Sequence, residues 1–217
     1  MQIFQIGDPV LGLIFDMDNT LYTNPPYARH QEDVLVRRLA QEWGCLESEG
    51  QARVDEFRAA FAQSHDGRQP SLGNTFSALG IPIATSVDWR RQYIQPELFL
   101  EPDPQLSRAL QRLASKFRLA VVTNNPVEIA RRSLSVLGIL DSIPVIVGLD
   151  STNVSKPDPA AFRLAATSLD CDPGQLVSIG DRFAVDIEPA LGLGMGGILV
   201  DGVADIYGLP GFFGVDK

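Results

Sequence analysis

Asp16 and Asp18 stand one residue apart with Thr20 close behind, Thr123 adjoins Asn124, Lys156 precedes a proline, and Asp181 is followed five residues later by Asp186. Four carboxylates drawn into one pocket repel one another unless a divalent cation and Lys156 offset them. Oxygen ligands point to magnesium (Mg2+), which takes few carboxylates and keeps room in its shell for a substrate phosphate. One carboxylate can then attack phosphorus as a nucleophile, passing through an aspartyl-phosphate. A second, its proton affinity raised by like-charged neighbours, suits a general acid that turns general base. A short hydroxyl and the N–H groups of a helix start suit the transferring phosphoryl oxygens, and Thr123, Asn124 and Asn125 lead into such a start.

Such residues meet only if the chain brings them to one edge, and ligands of open α/β sheets bind beyond the carboxyl ends of the strands. The apolar run Leu11 to Phe15 reads as a buried parallel strand that ends at Asp16. From about Pro25 to Tyr93 the texture is helical, with Leu35, Leu39 and Trp43 on one stripe and Val54, Phe57 and Phe61 on another. A shorter helix is expected over Ser86 to Ile94. Beyond Pro96 helices and strands alternate, with strands at Leu119 to Val122, near Val145, at Leu176 to Ile179 and at Gly197 to Val200. Asp103-Pro104, Asn125-Pro126 and Asp158-Pro159 each pair a capping residue with a proline suited to the first helical turn. The expected fold class is α/β, a doubly wound parallel sheet (Rossmann-like core) with an inserted all-helical cap domain. The core is expected over 1–22 and 97–217 and the cap over 23–96, with the end of the chain from Gly208 poorly specified.

Asp16-Met17-Asp18-Asn19-Thr20-Leu21-Tyr22, Thr123-Asn124, Lys156-Pro157 and Gly180-Asp181 with Asp186 resemble, in order and spacing, the four motifs of the haloacid dehalogenase superfamily. The resemblance covers essentially the whole core, and the helical block sits where that superfamily inserts a cap. It implies Asp16 as nucleophile, Asp18 as acid/base, Thr123 and Asn124 as phosphate binders, and Lys156 as the group that holds and neutralises Asp16 and the phosphoryl group. It also implies a metal held by Asp16, the backbone carbonyl of Asp18 and Asp181, with Asp186 in support. The first two motifs are similar to those of a subgroup containing nucleotide phosphatases, so the implied activity is hydrolysis of a small-molecule phosphorylated substrate such as a nucleoside monophosphate or sugar phosphate. A sugar-phosphate phosphomutase shares these residues, and a non-catalytic binding protein on the same fold is the alternative from another class. A dehalogenase is disfavoured because it lacks the acid that Asp18 would supply. A phosphonate hydrolase is disfavoured because it needs a cap lysine, and no lysine precedes Lys116.

Composition narrows the rest. A net charge of -9 over 217 residues, with a sequence pI near 4.7, argues against polymeric nucleic acid as a partner. The apolar run after Val10 is too short to span a membrane and no basic segment precedes it, so a cytoplasmic protein, monomer or weak dimer, is expected. Cys45 and Cys171 lie far apart and read as idle thiols. Gly192-x-Gly194-x-x-Gly197 follows a helix and precedes a strand, the reverse of a dinucleotide-binding loop, and reads as a turn. The aromatic residues Trp43, Phe61, Trp89 and Tyr93 read mainly as cap core and His30 and His65 as solvent-facing, while Arg90 and Arg91 are placed to attract an anion near the cap, though adjacent charges on a helix usually face water.

Overall fold

The computed structural model describes residues 1–215. Its centre is a six-stranded sheet of order β1-β6-β5-β2-β3-β4, formed by β1 (Gln2–Phe4), β2 (Gly12–Phe15), β3 (Arg118–Val122), β4 (Val145–Val147), β5 (Leu176–Gly180) and β6 (Gly196–Leu199). Neighbours pair in parallel except β1, which runs antiparallel to β6 with Gln2 opposite Leu199 and Phe4 opposite Gly197. The five parallel strands lie where the apolar runs place them. β1 is an addition, since three residues are too few to show a periodicity.

Alternation along the central strands feeds two cores. Leu13, Phe15, Leu119, Val121, Val177 and Ile179 enter one, and Ile14, Ala120, Val122 and Leu176 enter the other. The first is closed by α5 (Pro104–Ala114), α6 (Val127–Val136) and α10 (Val203–Phe212), the second by α8 (Ala160–Leu169) and α9 (Glu188–Leu191). Helices on both faces make the sheet doubly wound, as expected. A short helix, α7 (Leu149–Thr152), follows β4.

Between β2 and α5 stand α1 (Pro25–Trp43), α2 (Glu47–Ser64), α3 (Leu72–Ala78) and α4 (Ile83–Tyr93). Asn24 caps α1 by accepting a hydrogen bond from the Tyr27 N–H at 2.9 Å, and Gly44 ends it at φ 63°, the left-handed conformation glycine adopts freely. These helices bury Leu35, Leu39, Val54, Phe76 and Trp89 among themselves, and that cluster runs without a break into the first core of the sheet. The block is the helical cap on a Rossmann-like core.

Three details depart from the sequence reading. The stretch from Gly208, expected to be poorly specified, begins within α10, which packs on α5 through Ile206 and Leu209 and ties Tyr207 Oη to Asp103 Oδ2 at 2.7 Å, despite Pro210 within it; its last two positions, 216 and 217, lie outside the described residues. Asn125 does not cap α6; the Val127 N–H is met instead by Asp150 Oδ1 at 2.9 Å. His30 is half-buried, its ring 4.5 Å from that of Phe99, rather than turned to solvent. Cys45 and Cys171 are both free and partly buried. Among the described residues no helix is long and apolar enough to cross a membrane.

Candidate active site

The carboxyl ends of β2, β3 and β5 converge, and the residues that follow them face one another. The Asp16 N–H still donates to Ile179 O at 2.8 Å and the Thr123 N–H to Val147 O at 3.0 Å, so the ladder itself fixes where each strand stops. After Asp16 the chain turns sharply: the N–H groups of Thr20 and Leu21 both donate to Met17 O, and Asn19 adopts a positive φ of 59°. Asparagine tolerates that conformation, and here it lets Asn19 Nδ2 donate to Asp181 Oδ2 at 3.0 Å.

Lys156 is the hub of the buried charges. It is 1% exposed, and its ammonium donates to Asp16 Oδ1 at 2.6 Å, Asp186 Oδ1 at 2.7 Å and Val122 O at 2.9 Å, which uses all three of its hydrogens. Desolvation pulls its proton affinity down, but Asp16 and Asp186 outweigh that and hold it above the ordinary lysine value. The loop carrying Lys156 is clamped by Asn124, whose Oδ1 accepts from the Lys156 N–H at 2.7 Å and whose Nδ2 donates to Lys156 O at 3.4 Å. The Asn124 side chain thus positions the lysine. Thr123 Oγ1 accepts from the Asn125 N–H at 3.1 Å, and its own hydrogen stays available to a phosphoryl oxygen.

Asp16, Asp181 and Asp186 each offer a carboxylate oxygen within 4.8 Å of the others. Asp186 is 1% exposed and accepts the Arg182 N–H on Oδ2 at 3.1 Å. The Arg182 guanidinium stands 3.8 Å from Asp181 and 3.9 Å from Asp186. Desolvation lowers that guanidinium's proton affinity, yet Asp16, Asp186 and Asp181 together raise it. Two buried oxygens in this cluster, Asp16 Oδ2 and Asp181 Oδ1, have no hydrogen-bond partner. Buried carboxylate oxygens are rarely left so, and Asp16 and Asp181 would offer both to a hard divalent cation, which would supply the missing positive charge. Burial pushes the Asp16 carboxyl up to about 7, with Lys156 pulling it down and Asp186 raising it further. Burial likewise raises Asp181, against the hydrogen bond from Asn19. The donor set fits a magnesium-like ion.

The Asp18 carboxylate is not part of that group of three and is held by other partners. Its Oδ1 accepts from Tyr22 Oη at 2.5 Å and Gln31 Nε2 at 2.7 Å, and its Oδ2 from Asn125 Nδ2 at 3.0 Å. Asn125 Nδ2 also donates to Gln31 Oε1 at 3.0 Å, so cap helix α1, the first loop and the loop after β3 share one polar network. Burial, then the charge of Asp18, drives the Tyr22 hydroxyl well above the ordinary tyrosine value, so it stays a donor. Gln31 was not foreseen, although one signal existed: it interrupts the α1 stripe between Tyr27 and Leu35 at four-residue spacing. Arg182 and the role of Asn125 carried no local signal.

Above these residues lies a cavity of about 710 Å³, lined by Asp18, Asn124 and Asp181 from the core and by Gln31, Arg58 and Arg90 from the cap. Arg90 lines this cavity and is 4% exposed, which departs from the water-facing one of its two readings, whereas Arg91 does lie at the surface, paired with Asp150 at 2.7 Å. Trp89 sits in the cap core against Phe76, ring centroids 6.1 Å apart, and lines no part of the cavity.

Comparison with known proteins agrees with this geometry. The chain is 31% identical over 182 residues to a phosphoglycolate phosphatase of Rhodospirillum rubrum, covering 78% of this chain and 71% of that one. It is 26% identical to a ribulose-1,5-bisphosphate 5-phosphatase of Halopiger xanaduensis, over 88% of this chain and 84% of the other. A crystal structure of a haloacid dehalogenase-type phosphatase from Thermococcus onnurineus superposes with a TM-score of 0.66 at 22% identity, covering 96% of this chain and all of that one. Residues 10–194 match the family described as haloacid dehalogenase-like hydrolases, and with the strand-end aspartates and Lys156 in place the chain belongs to that family.

Proposed function

We propose that this hydrolase cleaves a small phosphomonoester through a phosphoaspartate on Asp16, with magnesium as the required cation. The observation that carries the reading is Asp16 itself, one oxygen bound by Lys156 at 2.6 Å and the other buried without a partner beside Asp181 and Asp186. Magnesium, when bound by Asp16, Asp181, Asp186 and the Asp18 carbonyl, would neutralise phosphoryl charge and keep Asp16 ionised.

In the first step an Asp16 oxygen attacks phosphorus and the bond to the ester oxygen breaks, that oxygen taking a proton from Asp18. Thr123 Oγ donates to a phosphoryl oxygen, and Lys156 offsets charge on both the nucleophile and the phosphoryl group. In the second step the Asp18 carboxylate accepts a proton from water, whose oxygen attacks the phosphorus of phospho-Asp16, releasing inorganic phosphate and the free carboxylate. With three donors on its oxygens Asp18 is arranged as the carboxylate that this second step needs. For the first step one donor must yield, and the Tyr22 hydroxyl, able to turn its hydrogen and accept, is suited to do so.

The domain division at 22/23 and 96/97 goes with this reading, the cap closing over the core. Relatives named for phosphoglycolate and ribulose bisphosphate support a small phosphorylated metabolite as substrate. The only aromatic residue lining the cavity among those described is Phe183, which gives a nucleoside base little to stack on and favours a sugar phosphate or phospho-acid. Two measurements test the proposal: aryl-phosphate turnover is expected to vanish in chelator and return with magnesium, and labelled phosphate is expected on a peptide containing Asp16 and absent in Asp16→Asn. Full turnover in chelator, or label on another residue, refutes it.

A further inference from the structure

Four arginines line the cavity, Arg58, Arg68, Arg90 and Arg182. Three have carboxylate company. Arg58 pairs with Glu32, Arg68 grips Glu188 with two bonds of 2.8 and 3.1 Å, and Arg182 lies 3.8 Å from Asp181. Arg90 differs. It is 4% exposed, and among the described residues no carboxylate lies within 4.0 Å of it. Its guanidinium donates from Nη1 to the carbonyl at 3.2 Å and to the hydroxyl of Ser86, one turn earlier in α4.

A guanidinium carries five N–H donors and cannot shed its charge, so one buried with a carbonyl and a hydroxyl for company is left short of acceptors and of negative charge. Proteins seldom leave a buried cation unpaired, because desolvation is then uncompensated. Burial lowers its proton affinity to about 10, opposed only by Asp18, so it remains a cation at neutral pH. The cavity wall also includes Leu35 and Leu72, and apolar lining of that kind strengthens an ion pair formed within the cavity.

We infer that Arg90 binds a second anionic group, a carboxylate or phosphate, carried by the substrate at the end away from the ester being cleaved. This assignment rests on the phosphomonoesterase reading, and it restricts the substrate to phosphomonoesters with an anionic tail. The planar fork of arginine suits both oxyanions, and Arg90 stands on the cap side of a cavity whose core side includes Asp18 and Asn124.

The test compares kcat/KM for glycerol phosphate, phosphoglycerate and propanediol bisphosphate, whose tails are neutral, carboxylate and phosphate, in wild-type enzyme with magnesium. The anionic-to-neutral ratio is expected to exceed about tenfold, and Arg90→Met is expected to lower that ratio by about 10- to 100-fold, the worth of hydrogen bonds to a charged group. Whichever anionic tail leads tells carboxylate from phosphate. Arg90→Lys, which keeps the charge, is expected to retain part of the ratio and serves if the methionine variant does not fold. Wild-type turnover without preference overturns the assignment of Arg90 alone. An equal loss on all three esters in Arg90→Met also overturns it, since the arginine would then only balance Asp18. No wild-type turnover of any ester, aryl phosphate included, overturns the phosphatase reading beneath it.

Discussion

Gly180 ends β5 immediately before Asp181, and its lack of a side chain sets the position of Asp186. A Cβ there would lie 2.4 Å from Asp186 Cβ and 2.7 Å from its Cγ, about 1 Å inside the 3.4 Å at which ordinary contact begins. The Gly180 backbone is in the strand conformation, so Gly180→Ala brings steric pressure without torsional strain. Asp186 cannot yield cheaply. It is held by Lys156 at 2.7 Å and the Arg182 N–H at 3.1 Å, and its own carbonyl accepts from Ser178 Oγ at 2.7 Å. A shift of about 1 Å carries the contact with Lys156 beyond hydrogen-bond range and lets the ammonium move off Asp16. Overpacking of this kind costs about 1 to 3 kcal/mol. For a chain of this size that is a fall in melting temperature of about 2 to 12 °C. Misplacing a catalytic group by about 1 Å costs about 100-fold in rate. Thermal unfolding and aryl-phosphate turnover measure the two effects. Gly192→Ala is the control, since its Cβ would meet nothing nearer than 3.5 Å and its φ of -62° suits alanine. Gly180→Ala with wild-type melting temperature and turnover would refute the argument that this glycine sets the Asp186–Lys156 distance.

Two further substitutions probe neighbouring parts of the network. Lys156→Arg is expected to lose most activity and about 1 to 3 kcal/mol of stability, because a planar fork does not fit among three acceptors placed within 2.9 Å of one nitrogen; near-normal turnover would show that Lys156 is a spectator. Gln31→Leu removes one donor from Asp18 and one acceptor from Asn125, so kcat is expected to fall about 10- to 100-fold with KM little changed. A raised KM at unchanged kcat would place Gln31 against the substrate instead.

The parts of the site legible in the sequence were those fixed by strand ends. Asp16, Thr123 and Asp181 each terminate a short apolar run, and in a parallel sheet all such termini share one edge, so their meeting follows from the pattern alone. Lys156 and Asp186 were legible through the motif spacing they share with the haloacid dehalogenase superfamily. The partners that hold Asp18 were not, because Gln31 and Asn125 reach it across 13 and 107 residues and look like an ordinary helix residue and an ordinary cap. Arg90 and Arg91 could not be told apart for a related reason: Arg91 does face water, and adjacent helix positions differ by only about 100°, so charge alone does not say which of two arginines turns inward. In the fold, β1 and α10 escaped notice, the first for shortness and the second because Gly208, Pro210 and Gly211 mask a segment whose burial comes from contact with α5.

The antiparallel strand β1 has a consequence for how this protein behaves in concentrated solution. Without it, β6 would be the sheet's margin, and Gly196-Gly197-Ile198-Leu199 would offer an uncharged row of unpaired backbone donors and acceptors to any passing extended chain. Exposed margins of that kind template strand addition and aggregation. β1 occupies the position with only three residues, two of them exposed, and is too short to pass the invitation on. At the opposite margin β4 is equally brief. A sheet bounded on both sides by three-residue strands gives other chains little on which to extend it.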